Sequence, residues 1–459
     1  MMPVKDIKDV FFIGIGGIGM SALARYFKSI GVYVSGYDKT PTPLTNQLQS
    51  EDITVMFEDE ADKMPKNPDL VVYTPAIPDD HKGLNFYREN NYVLKKRSEV
   101  LGMISADRFT IAVAGSHGKT TVSTMIAHLL KESGFDCSAF LGGISVNYQS
   151  NFIAGFNDVV VMEADEFDRS FHRLAPDMAV ITTVDTDHLD IYGTKEAIDE
   201  AFIEFTNKIS EDGYLVIRYG ESINRSLPKI NKAFYSLHDT SADVYCSGYT
   251  ICDGGYTFDV NYFGQTLNGF RLTIGGYHNI ENALAAIAIA KQLQITDDLI
   301  RNALATFKGI KRRFEKIYED DQTIFIDDYA HHPEEIRVFL ESVKEIYPGR
   351  KITAVFQPHL FSRTKDLADD FARRLSIADE VILLDIYPAR EKPVKGVTSA
   401  LIYNSITSPE KQMVSKESLV EVLSRKKNLD ILLTIGAGDI DQYLGFIKNS
   451  LIQAKESRS

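Results

Sequence analysis

The chain has 459 residues, 44% of them hydrophobic and 25% charged, with 50 Lys and Arg against 64 Asp and Glu for a formal charge of −14. That length suits about three globular domains with a core of ordinary proportions. The acidic balance argues against nucleic acid or an anionic membrane as a partner, but says nothing about a single cleft that binds phosphate.

Residues 1–106 open with an apolar run, Val10–Ile15, then glycines and a helical stretch, Met20–Ile30. Strands are expected at Tyr33–Tyr37 and Leu70–Tyr73. Residues 107–313 start again with a strand, Phe109–Ala114, a glycine turn and a helix from Lys119 to Lys131. Val159–Met162 and Met178–Thr183 are continuous apolar runs, as buried parallel strands are. The stretch 240–276, rich in Tyr, Gly and Thr, reads as antiparallel strands, and 279–293 as a helix. Residues 314–459 form a third cycle, with strands at Ile324–Ile326, Ile352–Phe356, Val381–Leu384 and Ile431–Ile435. Alternating strands and helices predict an α/β chain of three domains with parallel sheets.

No apolar stretch approaches the roughly 20 residues of a membrane span; Ala283–Ala290 is typical. The first ten residues, MMPVKDIKDV, lack an apolar signal core. Cys137, Cys246 and Cys252 suit a reducing compartment and read as packing residues rather than zinc ligands. A cytoplasmic enzyme is expected, monomeric or homodimeric.

The chemistry sits at strand ends. Gly14-Ile-Gly-Gly-Ile-Gly19 follows a strand and opens a helix, with Asp38 about 20 residues on. Taken literally this is a dinucleotide fingerprint and says NAD, but the physics requires only a diphosphate at a helix N-terminus, so a nucleotide sugar fits as well. Gly115-Ser-His-Gly-Lys-Thr-Thr121 is a shortened phosphate loop, since Val113 stands where the longer pattern has glycine. Its glycines let backbone N–H groups approach phosphates, Lys119 reaches the terminal ones, and a threonine hydroxyl can ligate Mg2+. Glu163-Ala-Asp-Glu-Phe-Asp168 ends the next strand. Carboxylates so close repel unless a cation is present, and hard oxygen ligands suit Mg2+; a solvated acidic loop is the plain alternative. Asp185–Asp190 carries His188, a metal ligand, a phosphate contact or a loop histidine. His278–Asn282 opens a helix with two asparagines, able to cap it or to meet an adenine edge. Arg312 and Arg313 can reach phosphates or form a solvated basic run. Asp327-Asp-Tyr-Ala-His-His-Pro333 reads as a substrate site, and Arg363 in Gln357–Thr364 as a carboxylate clamp.

In this order, Gly14–Ala24, Ala114–Thr121, Glu163–Phe171, Asp187–Asp190, His278–Asn282, Asp327–Glu334 and Gln357–Thr364 resemble the Mur ligases, ATP-dependent amide-forming enzymes of bacterial cell-wall synthesis. The resemblance covers essentially the whole chain. It implies a Rossmann-like UDP-sugar domain (1–106), a central P-loop ATPase domain (107–313) and a Rossmann-like C-terminal domain that binds the amino acid (314–459). It also implies joining L-alanine to the lactyl carboxylate of UDP-N-acetylmuramate through an acyl phosphate, with ATP and Mg2+. Gly16, Gly17, Ile18, Gly19 and Asp38 would hold the UDP-sugar. Gly115, Ser116, His117, Gly118, Lys119, Thr120, Thr121, Asn279, Asn282 and Arg313 would hold ATP. Lys119, Glu163, His188 and His331 would be catalytic; Thr120, Glu163 and His188 would bind metal; His331 and Arg363 would bind alanine. Three positions depart from the family pattern: Leu360 replaces an arginine found in several members, Ser116 replaces the commoner threonine, and Phe202 stands where other members carry a carbamylated lysine. Three rival readings remain: a recycling ligase that attaches a tripeptide to the same sugar, an NAD-dependent oxidoreductase built on Gly14–Gly19, and a non-catalytic nucleotide-switched binding protein, which would leave the acids and histidines at strand ends unexplained.

Overall fold

The computed structural model describes residues 3–185, 189–389, 391–426 and 429–456. Its strands form three sheets. The first has five parallel strands in the order Thr54–Met56, Tyr33–Tyr37, Asp9–Ile13, Leu70–Tyr73 and Leu94–Lys96. Chain order reverses at Asp9–Ile13, so the Gly14–Gly19 turn leaves the sheet at a switch point, where α/β sheets bind ligands.

The central sheet has ten strands. Phe109–Ala114 lies between Met178–Ile181 and Val159–Glu163, parallel to both. Three site-bearing strand ends therefore emerge side by side. Beyond Val159–Glu163 come Ser138–Ser145 and, antiparallel to it, Ser150–Ile153. At the other edge, Val244–Cys252, Gly255–Tyr262 and Gln265–Leu272 are joined by two-residue turns, Asp253-Gly254 and Phe263-Gly264, all four residues having φ between +48° and +82°. Paired positive φ values are those of type I′ hairpin turns, which make this the expected antiparallel meander.

The third sheet runs Glu315–Glu319, Ile324–Asp328, Ile431–Ile435, Ile352–Phe356, Glu380–Leu383 and Glu410–Met413, parallel except for its first strand. The expected strands are all present. The strands not foreseen in this sheet, Glu315–Glu319 and Glu410–Met413, are polar edges without the apolar run that betrays a buried strand.

Contacts divide the chain into two compact units: Met1–Tyr249 with Thr257–Arg271 and Ile280–Lys308, and Thr250–Tyr256 with Leu272–Asn279 and Gly309–Ser459. In the first unit, the first and central sheets share one apolar core. Tyr26 packs its ring on Phe140 and Phe152, with centroids 5.3 and 6.0 Å away. The second unit has its own core around Phe325, Val355, Ile382 and Leu432.

The cysteine expectation is corrected in part. Cys137 is buried, but Cys246 is only half-buried and Cys252 is exposed, because they lie on the outer hairpin strand Val244–Cys252, whose later residues face solvent. Among the described residues no helix is long and apolar enough to cross a membrane.

Candidate active site

The phosphate loop is shaped by its glycines. Gly115 has φ +136°, and a Cβ there would fall 2.0 Å from Thr182 Oγ1. Gly118 has φ +83° and starts the helix Lys119–Glu132 without a side-chain cap. An uncapped N-terminus offers N–H donors and a positive dipole end to an anion. Ser116 N–H donates to Thr183 O (2.8 Å) and His117 N–H to Thr183 Oγ1 (3.0 Å), which fixes the loop on the next strand end. The His117 ring is exposed and lies 3.7 Å from Asp185, while Thr121 is buried in the helix's first turn. Asn282 lies against the loop: a Cβ on Gly118 would meet its Oδ1 at 2.9 Å.

Lys119 curls back over the loop. Its Nζ donates to Gly115 O (2.6 Å) and to Glu166 Oε1 (2.7 Å), and Glu166 is 3% exposed. Thr120 Oγ1 lies 2.9 and 3.0 Å from the two oxygens of Glu163. A hydroxyl and a carboxylate thus meet beside the phosphate loop. They are hard oxygen donors, few in number, which suits Mg2+, an ion that completes its shell with phosphates and water. Among the described residues no group of three or more Asp, Glu, His or Cys is placed to hold a metal ion. His188 lies outside the described residues.

Residues the sequence reading passed over complete this corner. Glu166 is the buried partner of Lys119. Gly142 faces Glu163 so closely that a Cβ would sit 2.1 Å from Oε2. A Gly-Gly pair inside a strand pattern, Gly142-Gly143, is the signal that could have found it, since such glycines mark a close approach. Gly142→Ala is therefore expected to push Glu163 off Thr120 and to raise the Mg2+ concentration needed for half-maximal activity about tenfold, with an unchanged melting temperature. A Mg2+ titration of activity checks this; an unchanged requirement contradicts it.

In the first sheet, Gly14 has φ +89°, and Gly16 N–H donates to Asp38 Oδ2 at 2.7 Å. A Cβ on Gly16 would lie 2.8 Å from that oxygen. Asp38 thereby braces the loop. The helix Ile18–Ser29 starts from Gly17 with no side-chain cap and no acid in its first turn. Arg97, also missed in the sequence, packs its guanidinium against Gly19.

The second unit gathers the later motifs. Asp327 is fully buried and accepts hydrogen bonds from Thr434 Oγ1 (2.6 Å) and Arg312 Nε (3.1 Å). Arg312 also donates to Gly436 O (2.6 Å) and Gly438 O (3.2 Å). It is spent holding loops together, which corrects the expectation that both boundary arginines reach for phosphates. Arg313 keeps its charge near Asp328 and His331. Asn279 is buried and donates through its amide to Gly275 O at 2.6 Å, a local brace at the helix start.

His331 Nδ1 lies 3.0 Å from Tyr329 O and so donates there, leaving Nε2 as an acceptor. His359 stacks on Tyr387 with its ring 6.2 Å from that of His331. Burial, with the Arg363 guanidinium adding to it, holds both imidazoles below their ordinary range and hence neutral at pH 7. Among the described residues, Arg363 Nη1 and His359 Nδ1 are buried without a hydrogen-bond partner. Buried polar atoms of this kind are costly unless a ligand meets them. Leu360, between them in sequence, has φ +71°, a strained value for a side chain with a Cβ and one that concentrates at ligand sites.

Burial pushes the Asp328 carboxyl up to about 7, against two backbone N–H donors, Phe314 and Ala330, each at 2.8 Å. A carboxyl raised above its unfolded value favours the fold while protonated, so its contribution is complete below about pH 4 and is lost as pH climbs to about 7. Between pH 5 and 8, wild type is expected to lose melting temperature relative to Asp328→Asn, whose amide never ionises. Parallel melting curves across that range contradict this.

Phe202, the position singled out against a carbamylated lysine, is fully buried and packs edge-on against Phe171, 5.3 Å between centroids.

Comparison with known proteins agrees along the chain. Residues 9–109 match the Mur ligase family catalytic domain, 113–290 the Mur ligase middle domain and 312–438 the Mur ligase glutamate ligase domain. The chain is 50% identical over 452 residues to a UDP-N-acetylmuramate–L-alanine ligase of Porphyromonas gingivalis, covering 97% of this chain and 99% of that one. It is 48% identical over 455 residues to the enzyme of that name from Flavobacterium johnsoniae, covering 98% and 99%. The solved UDP-N-acetylmuramate-alanine ligase of Thermotoga maritima superposes with a TM-score of 0.83 at 29% identity, covering 99% of this chain and all of that one. A murein peptide ligase of Psychrobacter arcticus shares the fold, with a TM-score of 0.69 at 23% identity over 96% of this chain and 98% of that one. The chain belongs to the Mur ligase family of ATP-dependent amide ligases.

Proposed function

We propose that this ligase joins L-alanine to the lactyl carboxylate of UDP-N-acetylmuramate, at the expense of ATP, in making the precursor of peptidoglycan. The observation that carries the phosphoryl-transfer half is the meeting of Lys119, Thr120 and Glu163 at an uncapped helix N-terminus. ATP lays its phosphates on Gly115–Thr121, with Lys119 leaving Glu166 to meet the charge that develops on the transferring group. Thr120 and Glu163, with His188 serving a second site, would hold Mg2+, which neutralises phosphate charge when bound. Asn282, Asn279 and Arg313 complete the nucleotide's contacts. Gly16–Gly19, braced by Asp38, take the UDP diphosphate.

A lactyl carboxylate oxygen attacks the γ-phosphorus of ATP, and ADP leaves. Arg363 clamps the carboxylate of L-alanine, and the neutral His331 accepts a proton from its ammonium. The free amine attacks the acyl carbon; the C–O bond to the phosphate breaks as the amide forms, and inorganic phosphate departs. An ATP-consuming step of this kind places the work in the cytoplasm. The identity of the alanine-ligase relatives supports the choice of amine over a tripeptide.

Labelling the lactyl carboxylate with oxygen-18 tests the route. One labelled oxygen is expected in each released phosphate, because the bridging oxygen of the acyl phosphate comes from the carboxylate. Unlabelled phosphate contradicts the acyl phosphate.

A further inference from the structure

We propose that Arg97 binds the diphosphate of the UDP-sugar, exchanging Asp165 for a phosphate oxygen when the substrate arrives. The proposal rests on the reading of Gly16–Gly19 as the UDP-sugar site. Arg97 begins the helix Arg97–Ala106, at the end of the strand Leu94–Lys96, on the same sheet as the glycine loop. A Cβ on Gly19 would fall 2.6 Å from Arg97 Nη1 and 3.1 Å from its Cδ. Glycine at that position is thus what lets a guanidinium lie against the loop.

The other side of the same guanidinium faces the metal motif. Arg97 Nη2 is 3.4 Å from Asp165 Oδ2, two residues beyond Glu163, and the side chains are 28% and 40% exposed. So long and so wet a pair contributes little. Asp165 also has another bond to keep, since its Oδ1 accepts the Phe167 N–H at 3.1 Å. A planar guanidinium forms shorter, two-pronged bonds to a phosphate, so a diphosphate outcompetes Asp165 for it. One residue then touches both the loop that takes the nucleotide and the segment that carries Glu163. That makes Arg97 a substrate-binding residue that also sets how the sugar end is aimed.

Calorimetric titration with UDP and with uridine, on wild type, Arg97→Ala and Arg97→Lys, tests this. Wild type is expected to bind UDP more tightly than uridine. Arg97→Ala should lose about 10- to 100-fold in UDP affinity with uridine affinity unchanged, the size of effect expected for a charge-assisted contact. Arg97→Lys should fall between, because it keeps the charge and loses the fork. The KM for UDP-N-acetylmuramate should rise in step while the KM for ATP stays put, which a merely unfolded variant would not show. If either variant binds ATP normally and keeps the wild-type ratio of UDP to uridine affinity, the proposal is overturned and the site reading stands. Wild type that does not distinguish UDP from uridine overturns both.

Discussion

Lys119→Ala is expected to lower kcat by about 10³-fold or more while changing UDP affinity less than about twofold. The ammonium lies on the phosphate loop, 2.6 Å from Gly115 O, and UDP is assigned to a separate glycine loop on another sheet. The variant carries a second, separable cost. Glu166 is 3% exposed and loses its ion pair, and removing one partner of a buried pair typically costs about 3–5 kcal/mol of stability. The double variant Lys119→Ala with Glu166→Gln should recover most of that stability and none of the activity. A fall in activity and UDP binding together, or activity returning with the double variant, would remove the assigned role.

Glu163→Gln is the second large effect. Glutamine keeps the shape and still accepts the Thr120 hydroxyl, so the loop should hold and the melting temperature should change little. What it loses is charge, and a neutral amide is a poor ligand for Mg2+. A fall in kcat of about 10²- to 10³-fold is expected, with a higher Mg2+ requirement that excess metal restores in part. Steady-state rates across a Mg2+ series check it; a rate and requirement like wild type would show that the carboxylate meets Thr120 for structural reasons alone.

Most of the architecture was legible because buried parallel strands are short, largely apolar runs that stop at glycine, at an acid or at a polar residue followed by proline. Tyr33–Tyr37, Leu70–Tyr73, Phe109–Ala114, Ile352–Phe356 and Ile431–Ile435 have the boundaries expected from sequence. Some of the strands that escaped notice have a different physics, although Tyr214–Arg218 is a buried parallel strand that went unmarked. Thr54–Met56 and Leu94–Lys96 are three-residue edges, too short to carry a period, and Glu410–Met413 is half wet. The site was legible where function needs backbone N–H groups and acids at strand ends, as at Gly115–Thr121 and Glu163. It was opaque where a residue works from afar. Glu166 looked like one more acid in a run, Arg97 like one cation among Lys95-Lys96-Arg97, and Gly142 like a strand glycine. Arg312 and Arg313 are neighbours in sequence, and only the fold turns one inward to Asp327. Cys252 was misjudged because a hydrophobic residue type on an outer hairpin carries no sign of which face it takes.

The amine that is joined distinguishes the two activities of this family. Phosphate release from ATP and Mg2+ with UDP-N-acetylmuramate should be measured with L-alanine, glycine, L-serine and the murein tripeptide added singly. Release fastest with L-alanine is the predicted result. Release only with the tripeptide would contradict it and move the chain to the recycling activity of the same family.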